Sequence, residues 1–148
     1  MSTTTRNAYR YYLTLATRWM DNDIYGHVNN VTYYSYFDTA ANSYLITAGG
    51  LDIHNSDVVG FVVASSCEYH EPVAFPDTLD VGVRVNRLSE RSVEYGIGIF
   101  KHGAPEPVAR GTFTHVFVSR ASGAAVAIPT TIRAALSKIQ PTADEEQA

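Results

Sequence analysis

Asp23, His27, Asn29 and Asn30 fall within the eight residues "DIYGHVNN", directly ahead of "VTYYSYFDTAANSYLI". A carboxylate can take a proton or attack an electrophilic carbon, and an imidazole can share in proton transfer near neutral pH. Either needs a partner group if the target is a carbonyl, because charge developing on the oxygen must be met by donors. A helix start supplies such donors: its first backbone N–H groups have no intrahelical acceptor and carry partial positive charge. Ordinary structural roles compete for the same residues. Aspartate in a loop before a helix commonly forms an Asx-turn or a cap, asparagine is among the best N-caps, and a loop histidine often bonds backbone. Capping and catalysis are compatible here, since a cap orients the amides an oxyanion would use.

That chemistry requires a helix, and the sequence predicts one from about Val31 to Ala48. Tyr34, Phe37, Ala41, Tyr44, Leu45 and Ala48 recur at spacings of three and four, and Gly49–Gly50 supplies the stop. Ahead of it, residues 9–19 read as a strand, with Tyr11, Leu13 and Leu15 alternating against Tyr12, Thr14 and Ala16. Behind it come four strand signals, "VVGFVVASSCEYHEPV", "TLDVGVRVNRL", "VEYGIGIFK" and "VARGTFTHVFVS", separated by turn residues and expected as an antiparallel meander. "PTTIRAALSKI" reads as a short helix opened by Pro129 and Thr130. One domain is expected over 1–140, with a disordered tail at 141–148.

Composition narrows the partners. The chain has 148 residues, 45 % of them hydrophobic, enough for one good core. Its formal net charge is -4 with scattered basic residues, which argues against nucleic acid and an anionic membrane. No run approaches the length of a membrane-spanning helix and the start lacks a secretory pattern, so the expected location is the cytoplasm. Cys67 is the sole cysteine, which precludes an internal disulfide and a thiolate zinc site, and the five histidines fall at no familiar ligand spacing. No metal and no cofactor is expected.

One strand, a long apolar helix and a run of antiparallel strands define an α+β class, with an antiparallel sheet wrapped around one long central helix. "RWMDNDIYGHVNNVTYYSYFDTA", followed by "EYHEPVAFPDTLDVGVRV" and "LSERSVEYGIGIF", resembles the hot-dog acyl-CoA thioesterases of the 4-hydroxybenzoyl-CoA thioesterase type. The resemblance spans roughly residues 9–119, and its specific part is "WMDNDIYGHVNNVTYYSYF". It implies hydrolysis of an acyl-CoA, with Asp23 as base or nucleophile and the backbone amide of Asn30, seven residues on, as the oxyanion donor. Plant acyl-carrier-protein thioesterases are similar over D-x-x-x-H-V-N-N, and the histidine matching His27 there implies a supporting catalytic role. This chain departs from them at Tyr25, Pro72 and Val73.

Other residues carry weaker signals. Asp21 competes with Asp23 and is the more structural of the two. Glu68 shares a strand face with Ser66 and His70, and Asp38 lies within the helix; either is open as a second acid. Cys67 in an apolar strand reads as a small core residue. Coenzyme A needs basic groups at its phosphates, and the resemblance implies Arg91 and Ser92, with Arg87, in the turn "NRLSERS"; Lys101 is a further basic group. Tyr33, Tyr34, Tyr36, Phe37 and Tyr44 suit either core or an acyl pocket. The family completes its site between protomers, which implies a homodimer or homotetramer. An acyl-carrier-protein thioesterase, a hydratase and a non-catalytic acyl-CoA binding protein of the same fold remain as alternatives.

Overall fold

The alternation read in the first strand is realised in β1 (Tyr11–Ala16), which places Tyr11, Leu13 and Leu15 against the main core and Tyr12 on the opposite face. The computed structural model of the protein describes residues 5–141. β1 is shorter than the expected 9–19, because Arg6–Ala8 and Trp19–Asp21 fold into 3-10 turns at either side. Helix α1 (Thr32–Thr47) then crosses the sheet and ends at Gly49–Gly50, where Gly50 takes the left-handed φ of +73°. Four strands follow: β2 (Val58–Tyr69), β3 (Thr78–Leu88), β4 (Ser92–Lys101) and β5 (Ala109–Ser119). The short helix α2 occupies Thr130–Lys138, as the Pro129–Thr130 signal predicts. Of the tail expected at 141–148, residues 142–148 lie outside the described residues.

The sheet order is β1-β3-β4-β5-β2, with every neighbour antiparallel. Only β3, β4 and β5 form a meander. β2 leaves the expected hairpin with β3 and pairs β5 at the far edge, Tyr69 opposite Ala109 and Val58 opposite Ser119. The reason lies in residues 70–77: this connection, with Pro72 and the Phe75–Pro76 pair, is longer than a tight hairpin loop, and its prolines cannot donate to a ladder.

The core fills one face of the sheet. Val81, Val83, Tyr95, Ile97, Ile99 and Phe113 point toward α1 and meet Phe37, Ala40, Ala41 and Leu45. Burial of each large apolar side chain contributes about 1.5–3 kcal/mol. The buried stripe on α1 runs Tyr33, Tyr36, Phe37, Ala40, Ala41, Tyr44 and Leu45, one position earlier at its start than the expected Tyr34, while Ala48 is exposed. His115 is also buried, ringed by Tyr95, Phe113 and Phe117, and burial pushes its pKa down to about 4. It is a neutral core imidazole at physiological pH, 3.1 Å from the Tyr95 hydroxyl.

The opposite sheet face is covered at one end by the N-terminal segment. Tyr9 lies over Gly98, where a Cβ would stand 2.7 Å from the ring. Arg6 stacks on Tyr12 and Phe100, each 4.9 Å from its guanidinium carbon, and reaches Asp80 at 2.7 Å. Asp80 also accepts from Thr14 Oγ1 and the Gly103 amide and lies 2.8 Å from His102 Nδ1. Burial alone would raise the Asp80 pKa, but His102, Gly103, Arg6 and Thr14 together outweigh it and hold the carboxyl below its ordinary 3.8. A depressed folded-state pKa gives stability that is fully present above the unfolded value and is lost as pH falls through the folded one. Asp80→Asn should therefore lower the melting temperature at pH 7 and flatten its decline below about pH 4; acid melting curves that run parallel to those of the parent would show that the clamp contributes nothing. Among the described residues, no helix is long and apolar enough to cross a membrane.

Candidate active site

The residues read as chemical in the sequence occupy one heavily anchored loop between β1 and α1. Asp23 to Gly26 is a tight turn closed by the Gly26 N–H on the Asp23 carbonyl at 3.0 Å, and Gly26 takes a φ of +88° that favours glycine. The Asp23 N–H donates to the His27 carbonyl at 2.8 Å, and Asn22 bridges Val28. Outside contacts fix the hairpin: the Val28 N–H reaches the Val73 carbonyl, and Asn22 Oδ1 accepts from the Phe75 N–H.

Asp21 holds the base of this loop. Its carboxylate is 2 % exposed and accepts the Arg18 N–H at 2.9 Å, Arg18 Nε and Nη2 at 3.2 and 3.0 Å, and the Tyr36 hydroxyl from α1 at 2.8 Å. Burial opposes its charge, yet the Arg18 amide, the Tyr36 hydroxyl and the Arg18 guanidinium outweigh that and lower its pKa. The Asp21 carbonyl then accepts the Asn29 N–H at 2.9 Å. Asn29 caps the helix entrance with both its oxygens: Oδ1 takes the Val31 N–H at 3.1 Å and the carbonyl takes the Thr32 N–H at 2.9 Å. Asn30, between those two, is passed over. Its N–H has no hydrogen-bond acceptor among the described residues, while its carbonyl accepts the Tyr69 hydroxyl at 3.0 Å.

A pocket of about 290 Å³ opens at this point, lined by Val28, Asn30, Tyr33, Tyr69, His70 and Glu71. The arrangement places Asn30 in the lining of a pocket with aromatic walls. Asp23 and His27 do not line it within one protomer. Asp23 is half-buried; its Oδ1 is engaged by the Tyr25 N–H at 2.8 Å in an Asx-turn, the His27 side chain is exposed, and neither Asp23 Oδ2 nor the His27 ring has a hydrogen-bond partner among the described residues. Trp19, Met20, Ile24 and Tyr25 are also exposed around this loop, Ile24 at 93 %.

The sequence profile of the thioesterase-like superfamily matches residues 17–136, most of the chain and all of this site. The chain belongs to that superfamily. PA5185 of Pseudomonas aeruginosa is 53 % identical, with a TM-score of 0.92 over 95 % of this chain and 98 % of its own. PA2801 of the same species, a candidate thioesterase, is 29 % identical, with a TM-score of 0.79 over 85 % of this chain and 97 % of its own. The 1,4-dihydroxy-2-naphthoyl-CoA thioesterase of Synechocystis shares the fold at 18 % identity, with a TM-score of 0.77 over 86 % of this chain and 95 % of its own. The α+β hot-dog fold is thereby established.

The remaining expected residues lie elsewhere. Arg87, Arg91 and Ser92 sit at the β3–β4 turn, at the other end of β3 from the loop and so roughly 35 Å along the strand. Arg87 pairs with Glu94 at 3.2 Å, Ser92 closes the turn by accepting the Ser89 N–H, and Arg133 braces the Ser89 and Glu90 carbonyls. Lys101 is nearer the site, 4.0 Å from Glu71 of the pocket. Glu68 points to the face away from α1, 3.6 Å from Arg110, and Asp38 on the exposed side of α1 accepts from Asn42. Cys67 is half-buried, and burial pushes its thiol up to about 11, which makes it a poor nucleophile at neutral pH. Among the described residues, no group of three His, Cys, Asp or Glu side chains converges as a metal site.

Tyr33, Tyr69, His70 and Glu71 are the site residues that sequence reasoning did not assign to it. Tyr33 was visible as one of several aromatic candidates. The other three arrive from the end of β2, and no local signal in "EYHEP" reveals that this end meets the start of α1.

Proposed function

We propose that the protein is a cytoplasmic acyl-CoA thioesterase, related in mechanism to the 4-hydroxybenzoyl-CoA thioesterase type, that hydrolyses a thioester to a free acid and coenzyme A. The observation that carries this is Asn30, in the lining of an aromatic-walled pocket, with an N–H that has no acceptor among the described residues. A thioester oxygen received there would be polarised by an amide already oriented by the Asn29 cap. Asp23 either attacks the carbonyl carbon, expelling the thiolate and forming an anhydride that water then cleaves, or removes a proton from the attacking water. His27 supports the same step by proton transfer or by orienting water. The test is release of free thiol from a panel of acyl-CoAs by the purified protein; no turnover of any member, with binding intact, would leave a non-catalytic acyl-CoA binding protein as the correct reading.

The site needs a second copy of the chain. One protomer leaves Asp23 and His27 outside the pocket, exposes the apolar loop side chains around them, and presents β2 as a twelve-residue edge with Phe61, Val62 and Val63 exposed. We expect sedimentation to show at least a dimer at assay concentration, and an active monomer would overturn this assembly. Such a pairing is also how Arg91, Ser92 and Arg87 would reach the coenzyme A phosphates, from the far turn of the other protomer. Arg91→Ala should then raise KM for acyl-CoA more than it lowers kcat, because it removes binding shared by ground and transition states. An unchanged KM would remove Arg91 from the nucleotide site.

A further inference from the structure

β2 ends at Tyr69, and that end is firmly placed. Tyr69 pairs with Ala109 in the ladder, and the next two amides, those of His70 and Glu71, both donate to the Val108 carbonyl, at 2.8 and 3.1 Å. The Tyr69 ring stands edge-on to that of Tyr33 on α1, with centroids 4.9 Å apart and planes at 87°. Tyr33 is 3 % exposed, so this packing gives the Tyr69 ring a fixed support. From there the hydroxyl reaches the start of α1 and donates to the Asn30 carbonyl at 3.0 Å. Loss of water around the hydroxyl, with Cys67 and Tyr34 beside it, pushes its pKa above the ordinary 10, and it stays a neutral donor near physiological pH.

That bond lands next to the amide on which the proposed reaction depends. Peptide groups are planar, so fixing one atom of a group limits the directions open to the others. The peptide that carries the Asn30 N–H is held by its own oxygen, the Asn29 carbonyl, which accepts the Thr32 N–H at 2.9 Å. The following peptide, from the Asn30 carbonyl to the Val31 N–H, is held at both ends: Val31 donates to Asn29 Oδ1 at 3.1 Å, and the carbonyl takes the Tyr69 hydroxyl. Asn30 thus lies between two pinned planes, which leaves its two soft torsions little freedom. Two of the three pins are local to residues 29–32. The Tyr69 bond comes from another element, thirty-nine residues away in the chain.

We infer that Tyr69 is a positioning residue, whose hydroxyl, by donating to the Asn30 carbonyl, fixes the orientation of the Asn30 amide that receives the thioester oxygen. This rests on the thioesterase reading above. Tyr69→Phe keeps the ring, and with it the pocket wall and the Tyr33 contact, and removes only the hydroxyl. The expected result is a fall of about two- to tenfold in kcat, the worth of one neutral hydrogen bond, with KM for acyl-CoA and melting temperature near those of the parent. Amide hydrogen exchange supplies a readout that needs no turnover: the Val31 N–H, on the peptide that Tyr69 holds, should exchange faster by a similar factor. Cys67→Ala removes the neighbouring thiol and keeps the Tyr69–Asn30 bond, so its kcat should match the parent. An active parent whose Tyr69→Phe variant keeps full kcat would overturn the inference and leave the thioesterase reading standing. Unchanged exchange at Val31 would overturn it by showing that the hydroxyl does not hold the peptide. A rise in KM at constant kcat would make the hydroxyl a substrate contact, and an equal loss in Cys67→Ala would place the effect in the thiol contact; either result overturns it as well. No turnover by the parent would remove the thioesterase reading and the catalytic side of the Tyr69 role together, an outcome that the thiol-release assay separates from all the others.

Discussion

Asp23→Asn is expected to lower thioesterase turnover by about 10² to 10⁴, the usual cost of losing a positioned general base, and by more if Asp23 is the nucleophile. The melting temperature should stay close to that of the parent. Oδ1 of Asp23 accepts the Tyr25 N–H in an Asx-turn, and an asparagine Oδ1 accepts the same bond. The turn closed by the Gly26 N–H on the Asp23 carbonyl uses main chain only. What changes is the other oxygen, which becomes an amide nitrogen able neither to take a proton nor to attack. A residue that only shaped the loop would tolerate this exchange without effect on rate, so the substitution separates shape from charge. Free-thiol release and thermal melting on one preparation decide it, and full activity in the folded variant would remove Asp23 from the mechanism. His27→Ala, with no side-chain hydrogen bond to lose among the described residues, should give a smaller fall at unchanged stability.

Local structure was readable in this sequence and tertiary arrival was not. The helix over Thr32–Thr47, its glycine stop and the α2 start at Pro129 follow from patterns a few residues long. The phase of the α1 stripe was misread by one position at its start because "YYSYF" offers aromatic residues at four of five places, and period alone cannot choose among them. The meander failed at β2 because strand pairing depends on where the residue 70–77 connection leads. For the site, the capping role at the helix-entry asparagines and the Asx-turn at Asp23 are sequence-local and were anticipated. The pocket walls at Tyr69, His70 and Glu71 come from a strand end nearly forty residues away, so only the fold reveals them. Asp21 and Asp23 show the same division: two residues apart, one is buried in four hydrogen bonds and the other is half-buried and accepts one, from the Tyr25 N–H, among the described residues.

Asp21→Asn should produce the reverse of the Asp23 result. Its two oxygens, 2 % exposed, meet donors only: the Arg18 amide and guanidinium and the Tyr36 hydroxyl. Replacing one oxygen by an NH₂ sets a donor against a donor in a buried place, at a cost of about 1–3 kcal/mol. The lost attraction to Arg18, whose side chain is 65 % exposed, adds little to that. In a chain of this size the melting temperature should drop by roughly 3–12 °C. Activity should fall less than in Asp23→Asn, because the group that anchors Asn29 is the Asp21 carbonyl, which the substitution keeps. The loss that does occur should come from looser placement of the Asn29 cap and hence of the Asn30 amide, so it should grow as assay temperature approaches the lowered melting point. Tyr36→Phe, which removes one donor and leaves the carboxylate charged, should reproduce part of both effects. Turnover abolished in Asp21→Asn at unchanged melting temperature, with Asp23→Asn fully active, would transfer the role of base to Asp21 and dismantle the division of labour between the two carboxylates.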